Sequence, residues 1–534
     1  MYRLTSLFVT GALILMGSLG DAKCAPRARS FIYVVPDGYG QASQSMARDF
    51  ESIISGQSTV KKPNSTQIGV DTMVIGSVRT QASDNLVTDS AASATAFGCG
   101  IKTYNGAIGV DNDGQPVGSI LEAAFLSGFR TGLIATSRIT HATPAAYCSH
   151  VLNRNSENDI ASQQIGYNHP FGVFVDLLMG GGRQQYQTKK DGGKRTDNVD
   201  LISWAKEKGY SYVQDRAGMQ DATKDGVLPL PFLGLFASSH MAYELDRDEA
   251  KEPSLLDMTK TALETLKDGS KGSKQGFFMM IEASRIDHAG HANDAAGHLH
   301  DTIMYNKVMA YVKEYVKANP DTQLLSAADH ETGGLTLVSK WDPRLLAEPK
   351  HTSEFLVDQL AQYKGSDGKG YFTTEILPQY GLGNLTEARV NALWDTYKGS
   401  GGSSGKLAMA MGHESAAGVG INWSTGSHTS VDVTLYGYAA GKAIGGMKEL
   451  IGGNRDNTEL PKYVEQVLGV SLNNATGKLR EKGTGYVVRR GSLQAIKDKA
   501  NAAAMEHQHG EGHHREEEED YEGVHFQVRV RTGV

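Results

Sequence analysis

Cysteine is scarce in this chain of 534 residues, which contains only Cys24, Cys99 and Cys148. Three cysteines cannot supply the disulfide framework of a small secreted domain, although one bond between Cys99 and Cys148 stays open. A basic excess is also missing, because the net charge is -7, and this argues against nucleic acid as a partner. With 40% hydrophobic and 21% charged residues, the composition is typical of a globular protein with a large core.

Long hydrophobic runs are absent as well, apart from one near the N-terminus. Arg3 is followed by an apolar run at 7–19 and by small and polar residues at 20–22, a pattern typical of a secretory signal. We therefore expect a signal peptide over residues 1–22 and a protein that is secreted or lies in a vacuolar lumen. Because the run is short for a spanning helix of about 20 residues, we expect membrane attachment only if this segment is retained as an anchor.

The C-terminal residues 505–534 are rich in His and Glu and lack a hydrophobic tail, which argues against a glycolipid anchor. We expect a solvated tail there, with weak metal binding as the alternative. Sequons for N-glycosylation mildly favour a glycoprotein of the secretory pathway. They begin at Asn64, Asn384, Asn422 and Asn474.

Short apolar runs separated by helical patterns predict the fold class. The runs lie at 31–35, 132–135, 173–178, 277–281 and 323–326. Amphipathic patterns predict helices at 119–127, 255–266 and 299–316. This alternation predicts an α/β fold with a large, mostly parallel central sheet and helices on both faces.

Residues 341–425 differ from the rest of the chain because glycine and serine become frequent, and residues 399–405 read GSGGSSG. Such a composition is typical of flexible surface segments. We predict that 341–425 is a surface insertion within one large domain of residues 30–500. The apolar pattern then predicts a further strand at 431–438.

Polar side chains follow three of the predicted strands. Asp37 follows the first, Glu282 the fourth, and Asp329 with His330 the fifth. One acidic loop residue is more often part of a turn or a helix cap. Three such positions together predict one shared site, because ligands of open α/β sheets bind beyond the carboxyl ends of the strands.

Ser90 begins an alanine-rich stretch that predicts a helix. Free backbone N–H groups in a first helical turn favour a bound phosphate, so Ser90 is a candidate nucleophile for phosphoryl transfer. The alternative is that Asp89 or Ser90 is only the N-cap of the helix.

A set of acids and imidazoles predicts a metal centre. Asp287 and His291 are four residues apart, so one helical turn would place both on the same face, which suits zinc. Asp329 with His330 forms a second pair, and His428 adds an imidazole. A single histidine is more often structural, but the set as a whole favours two cations that stabilise the oxygens of an in-line displacement.

Two further residues complete this hypothesis. Asp37 could bridge the two cations. Arg154 offers a planar fork of N–H groups that matches two phosphate oxygens. By itself, Arg154 is more often a surface salt-bridge residue.

At these positions the sequence resembles the alkaline phosphatase family. The matching stretches read PDG at 36–38, VTDSAASATAF at 87–97, HATPAA at 141–146, IEASRIDHAGH at 281–291, ADHETGG at 328–334 and SHT at 427–429. They follow the family order across residues 31–445. Further stretches at 102–110, 176–183 and 285–291 are similar to the vacuolar-type, repressible enzymes of fungi.

The resemblance implies a role for each matching residue. Ser90 would carry a phosphoserine intermediate, and Arg154 would bind phosphate. Two zinc ions and one magnesium ion would be the cofactors. The first zinc would be held by Asp287, His291 and His428, the second by Asp37, Asp329 and His330, and the magnesium by Asp37, Thr143 and Glu282. Asp89, His141 and His288 would lie beside these groups.

The resemblance also implies the substrate class and the assembly. A family member hydrolyses small phosphomonoesters and forms a homodimer, and the insertion at 341–425 would be the crown that packs across the two-fold axis. Two alternatives stay open: a phosphodiesterase of the same superfamily, and a non-catalytic metal-binding glycoprotein. A sulfatase is excluded because no Pro or Arg follows Ser90 in the required C/S-x-P-x-R context.

Overall fold

A computed structural model describes residues 27–64, 66–400, 404–487 and 492–499. The expected signal peptide at 1–22, Cys24 and the expected tail at 505–534 lie outside these residues. Within them, no helix combines the length and the apolar character that a membrane crossing requires.

Fourteen strands account for the sheets of the described residues. They are β1 (Ser30–Pro36), β2 (Val74–Arg79), β3 (Arg130–Arg138), β4 (Leu177–Gly181), β5 (Ser211–Val213), β6 (Phe232–Leu235), β7 (Phe277–Ala283), β8 (Thr322–Ser326), β9 (Glu331–Thr332), β10 (Thr336–Leu337), β11 (Ile421–Asn422), β12 (His428–Thr429), β13 (Val433–Ala439) and β14 (Gly453–Asp456).

Ten of the strands form one central sheet in the order β14-β2-β13-β8-β1-β7-β3-β4-β6-β5. Strand β13 runs antiparallel to its neighbours β2 and β8, and the other pairs of this sheet are parallel. Two short antiparallel pairs, β9 with β12 and β10 with β11, lie outside it. The prediction of a large, mostly parallel sheet is confirmed.

Helices cover both faces of this sheet. Helix α10 packs against α1 and α8 beside the central strands, while α17 packs against α2 and α3 beside the same strands. The helices are α1 (Gln41–Ile54), α2 (Ser90–Cys99), α3 (Ile120–Leu126), α4 (Ala142–Ala145), α5 (Glu157–Gln164), α6 (Leu201–Glu207), α7 (Arg216–Ala222), α8 (Leu255–Gly269), α9 (Arg285–His291), α10 (Ala295–Ala318), α11 (Ser353–Gln362), α12 (Gly368–Tyr371), α13 (Leu377–Gln379), α14 (Glu387–Gly399), α15 (Ser404–Val419), α16 (Ala443–Ile451), α17 (Glu459–Leu468) and α18 (Leu472–Glu481).

The central strands are buried on both faces, which explains their continuous apolar runs. Every residue of β1 and β7 is buried, including Glu282, which lies inside β7 rather than after it. The strand expected at 173–178 begins later, as β4 at Leu177. Its expected first residues form a loop instead, because the Asp176 carboxylate accepts a hydrogen bond from the backbone N–H of Thr131 in β3 at 2.9 Å.

Side-chain caps set the starts of two predicted helices. Ser119 caps α3, and it exchanges hydrogen bonds with Glu122 in a capping box. Asp294 caps α10, so this helix begins four residues earlier than the pattern at 299–316 indicates. Cap chemistry therefore decides where each apolar pattern becomes helical.

The segment at 341–425 is mainly helical and contains α11 to α15. Its apolar side chains, among them Leu356, Phe372 and Leu393, form a cluster separate from the main core. The expected flexible stretch at 399–405 is flanked closely by helices, since α14 ends at Gly399 and α15 begins at Ser404. Residues 401–403 lie outside the described ranges.

The two described cysteines, Cys99 and Cys148, are buried free thiols, so the disulfide that the sequence left open is not formed. Burial raises the pKa of Cys99 well above its ordinary value and the pKa of Cys148 to about 12. Both thiols are therefore protonated and poorly reactive near neutral pH.

Leu324 tests the core around the central strands. It is fully buried in β8, so Leu324→Ala should lower the free energy of unfolding by about 2–5 kcal/mol through lost contacts and a residual cavity. Urea titration followed by fluorescence measures this. Val431→Ala is the control, because Val431 is 53% exposed; equal losses in both variants would contradict the assignment of Leu324 to the core.

Candidate active site

Asp89 is the N-cap of helix α2, and Ser90 is the first residue of that helix. The Asp89 carboxylate accepts hydrogen bonds from the backbone N–H groups of Ala92 and Gly106, each at 2.9 Å. Ser90 is buried in the first turn, and its Oγ lies 3.2 Å from Nε2 of His330. A serine hydroxyl at a helix N-terminus is well placed beside a bound phosphate.

The first group of potential metal ligands contains Asp287, His291 and His428. Helix α9 places Oδ2 of Asp287 3.3 Å from Nε2 of His291, and β12 brings Nε2 of His428 to 3.1 Å from Nε2 of His291. The Nδ1 atoms of His291 and His428 donate to the carbonyl oxygens of Gly426 and Thr88, at 2.7 and 2.8 Å. With the proton on Nδ1, the neutral form of each ring carries a lone pair on Nε2 that can ligate a cation.

The second group contains Asp37, Asp329 and His330, which are fully buried. Nε2 of His330 lies 3.2 Å from Oδ2 of Asp329 and 3.8 Å from Oδ1 of Asp37. The ring of His330 stacks on that of His428, with centroids 3.5 Å apart. The two groups are thus neighbours, and a cation in each would lie close to the other.

Asp37 also belongs to a third group, with Glu282 and His141, whose potential ligand atoms all lie within 4.8 Å of one another. Thr143 lies two residues from His141 in the short helix α4 and is fully buried. The side chains at the carboxyl ends of β1, β7, β8 and β3 therefore converge, as expected for an open α/β sheet.

Several oxygens of these groups lack the partners that buried polar atoms normally have. Among the described residues, both carboxylate oxygens of Asp37, Oδ2 of Asp329, Oε1 of Glu282 and the hydroxyl of Thr143 are buried without a hydrogen-bond partner. Buried carboxylates require counter-charges. The donor set therefore fits divalent cations.

The same conclusion follows from the pKa values of the carboxyls. Burial and the charges of Asp329, Asp287 and Glu282 raise the pKa of Asp37 well above its ordinary range. Burial raises the pKa of Glu282 from 4.5 to about 7. For Asp287, burial acts in the same direction, but the nearby imidazoles of His291, His428 and His330 hold its pKa well below the ordinary value.

Arg154 borders the site, and its side chain is 17% exposed. Its Nη1 is 3.2 Å from Oδ2 of Asp89 and its Nη2 donates to Nε2 of His141 at 3.0 Å. The Asp89 carboxylate thus links the guanidinium of Arg154 to the N-terminus of the helix that carries Ser90. Each terminal nitrogen of a guanidinium carries two hydrogens, so donors remain for phosphate oxygens.

A family model described as alkaline phosphatase matches residues 28–470. The chain is 38% identical over 504 residues to the repressible alkaline phosphatase of Saccharomyces cerevisiae, and this alignment covers 89% of this chain and 87% of the relative. It is 36% identical over 462 residues to the alkaline phosphatase of Schizosaccharomyces pombe, with coverages of 84% and 83%. The chain belongs to the alkaline phosphatase family.

A solved structure agrees with this assignment. The crystal structure of Thermus thermophilus alkaline phosphatase matches with a TM-score of 0.70 and 26% identity, covering 88% of this chain and 100% of that one. The expected resemblance to alkaline phosphatases, and to the fungal repressible type, is confirmed. This alkaline phosphatase is a metal-dependent hydrolase of phosphate monoesters.

The site residues predicted from the sequence all lie in or beside this connected group, and their individual roles stay predictions. His288 accepts a hydrogen bond from Arg285 at 2.7 Å. Its ring contacts that of His141, with centroids 5.6 Å apart.

One histidine that borders this site, His240, was not predicted from the sequence. Its ring contacts those of His288 and His141, with centroids 4.4 and 5.4 Å away. Arg138 donates to Nε2 of His240 at 2.8 Å. His240 comes shortly after β6, a strand of four residues that the sequence analysis did not identify. Recognising FLGL at 232–235 as a strand would have pointed to the polar residues beyond its carboxyl end.

Removal of divalent cations should destabilise this alkaline phosphatase most at neutral and alkaline pH. Without a cation, folded Glu282, with a pKa of about 7, holds a proton that the unfolded chain has already lost. Stability should therefore fall as the pH rises from about 4.5 to about 7. The thermal midpoint of chelated protein should be lower at about pH 8 than at about pH 5, and Zn²⁺ should remove the difference.

Glu282→Gln is the control for this measurement, because an amide cannot ionise. Its chelated form should show a smaller dependence of the thermal midpoint on pH. Equal midpoints for chelated wild-type protein at both pH values would contradict the electrostatic explanation.

Proposed function

We propose that this alkaline phosphatase hydrolyses phosphate monoesters through a phosphoserine on Ser90. The observation that carries the proposal is the position of Ser90 Oγ, 3.2 Å from His330 Nε2, in the first turn of α2 and beside linked groups of cation ligands. In the first step, Ser90 loses its hydroxyl proton, the Oγ–P bond forms, the ester P–O bond breaks, and the leaving oxygen takes up a proton and departs as the alcohol. In the second step, a water molecule loses a proton, its oxygen bonds to phosphorus and the Oγ–P bond breaks, so that inorganic phosphate leaves and Oγ of Ser90 is protonated again.

Arg154 and the N-terminus of α2 position the phosphate. Arg154 is the candidate for two charge-assisted bonds to phosphate oxygens, since a guanidinium matches this geometry. Asp89 holds Arg154 with a carboxylate that is itself fixed by two backbone N–H groups. Because these donors are in place before the substrate binds, little reorganisation is needed during the reaction.

We propose two zinc ions and one magnesium ion as the cofactors. Imidazole and carboxylate ligands suit zinc, and the residues for the two zinc ions are Asp287, His291 and His428, and Asp37, Asp329 and His330. An all-oxygen set suits magnesium, and its residues are Asp37, Thr143 and Glu282. When bound, such ions lower the charge repulsion between nucleophile, phosphoryl group and leaving oxygen.

The assembly and location are further parts of the proposal. We propose a catalytic domain of residues 30–500 that forms a homodimer, with the helical segment at 341–425 as the crown between subunits. Residues 1–22 are proposed as a cleaved signal peptide of a secreted or vacuolar glycoprotein. Light scattering tests the dimer, and N-terminal sequencing of the natural protein tests the cleavage.

Ser90→Ala tests the nucleophile. Loss of Oγ should reduce the turnover of p-nitrophenyl phosphate at least about a thousandfold, as removal of a nucleophile does in other serine enzymes. Zinc content and phosphate binding should persist. Ser127→Ala, at the end of α3, is the control and should keep its activity. Near wild-type turnover in Ser90→Ala would refute the assignment, and so would failure to trap phosphate on the wild-type protein at acidic pH.

Metal analysis tests the cofactors and separates the alternative functions. Purified enzyme should contain about two zinc ions and one magnesium ion per chain, and exhaustive chelation should abolish activity until both metals return. A metal-binding glycoprotein without catalytic activity would keep the metals and show no turnover. A phosphodiesterase would prefer bis-p-nitrophenyl phosphate to the monoester.

A further inference from the structure

Outside the ligand groups, the structure contains a buried cluster of Glu122, His150 and His169. Their side chains are at most 1% exposed, and Oε1 of Glu122 lies 3.0 Å from Nε2 of both histidines. Glu122 belongs to the first turn of α3, whereas the two histidines come from the connections after α4 and before β4. No catalytic step proposed above uses these residues.

The donor set of this cluster would suit zinc, but its hydrogen bonds indicate protons instead. The backbone N–H of Phe171 donates to Nδ1 of His169 at 3.2 Å. The proton of this neutral imidazole is therefore on Nε2, where a metal would need a lone pair. The Glu122 oxygens are also satisfied, since Oε2 accepts from the backbone N–H of Ser119 at 2.7 Å. In contrast, the carboxylates of the active site retain unpartnered oxygens.

Both ring nitrogens of His150 face hydrogen-bonding oxygens in this arrangement. Its Nδ1 faces the carbonyl oxygen of Gly109 at 2.7 Å, which can only accept. Its Nε2 faces the Glu122 carboxylate. Burial would raise the pKa of Glu122, but the contacts with His150 and His169 lower it from 4.5 to about 2. Glu122 and His150 thus form a buried pair in which every side-chain N and O atom has a hydrogen-bond partner, as buried polar groups require.

The chain after His150 leads directly to Arg154 and is paired with a second segment. Val151 and Ile108 exchange both backbone hydrogen bonds, at 3.0 and 3.1 Å. The N–H of Arg154 donates to the carbonyl oxygen of Gly106 at 2.8 Å. The bond from His150 to Gly109 closes the other end of this pair. We call the two segments, 106–109 and 150–154, the arginine ladder.

The arginine ladder also contacts the helix of the nucleophile. The N–H of Gly106 donates to the Asp89 carboxylate at 2.9 Å, and the same oxygen is 3.2 Å from Arg154 Nη1. The ladder therefore has one end at the proposed phosphate site and the other at the hydrogen-bonded pair of His150 with Glu122. A shift at His150 would move the backbone from which Arg154 extends.

We propose that His150, held by Glu122, is a positioning residue that sets the place of the Arg154 guanidinium by anchoring the arginine ladder. The inference rests on the proposed function, because the role of Arg154 in phosphate binding belongs to that proposal. The cluster acts through backbone geometry and touches neither substrate nor cation.

Three substitutions at His150 separate its two bonds. His150→Phe removes both, His150→Asn keeps a donor near the position of Nδ1, and His150→Gln keeps a donor near the position of Nε2. We expect His150→Phe to raise both the KM for p-nitrophenyl phosphate and the inhibition constant of inorganic phosphate about tenfold, because small misplacements of a binding group are costly. The change in kcat should be smaller, and the Asn and Gln variants should give intermediate values.

His169→Gln is the matched control, because it keeps a donor to Glu122 and, toward the arginine ladder, loses only the ring contact with His150, whose centroid is 5.6 Å away. Its phosphate inhibition constant should stay within about twofold of wild type, within the usual scatter of a neutral change. Metal content per chain should be the same in all variants. Loss of one metal equivalent in His169→Gln or His150→Phe would show that the cluster binds a metal, and would overturn its assignment as a hydrogen-bonded cluster.

A double-mutant cycle with Arg154→Ala gives the decisive result. If His150 acts through Arg154, His150→Phe should add no further weakening of phosphate binding once Arg154 is absent. Additive losses would overturn the inference. If Arg154→Ala itself leaves phosphate binding unchanged, the assigned role of Arg154 fails. Should His150→Phe not fold, the Asn and Gln variants enter the same cycle, and unchanged phosphate binding in both would also overturn the inference.

Discussion

Mutual repulsion among buried carboxylates is the constraint on which this structure depends. Asp37, Glu282, Asp287 and Asp329 lie in one water-poor region, where unpaired negative charges are costly. Their pKa values show the conflict: that of Asp37 is raised by burial and by its acidic neighbours, while that of Asp287 is lowered where imidazoles surround it. Divalent cations resolve the conflict, and the same cations suit a reaction that concentrates charge on phosphoryl oxygens.

The parallel sheet explains why these residues meet although they are far apart along the chain. Strands β8, β1, β7 and β3 are successive neighbours, and each delivers polar residues at or beyond its carboxyl end. The neighbouring residues then hold the side chains in place. Carbonyl groups orient His291 and His428, the α2 N-terminus orients Asp89, and Asp89 orients Arg154.

Much of this arrangement could be predicted from the sequence, because continuous apolar runs and the polar residues that follow them carry a strong pattern. The α/β class and the location of the site at the strand ends came from such runs. Strands with weak patterns did not: β5 and β6 have only three and four residues, so His240 was missed. Strand β4 was placed too early, since apolar side chains of a buried loop resemble a strand. The buried cluster of Glu122, His150 and His169 could not be predicted from the sequence, because these residues are far apart along the chain and form no recognisable spacing pattern.

The short pair of β10 and β11 has a consequence for how chain length can vary in this protein. These strands pair Thr336 and Leu337 with Asn422 and Ile421. The two ends of the helical segment between them therefore lie side by side. The pairing of β9 with β12 then keeps Thr332 opposite His428. The helical excursion between them has its own apolar cluster. Length changes at the outer loops of that excursion can therefore be accommodated while His330 and His428 keep their relative positions, provided that the bonds of Thr352 and Ser353 to Asp246 and Asp294 remain; those outer loops are the places to fuse a module.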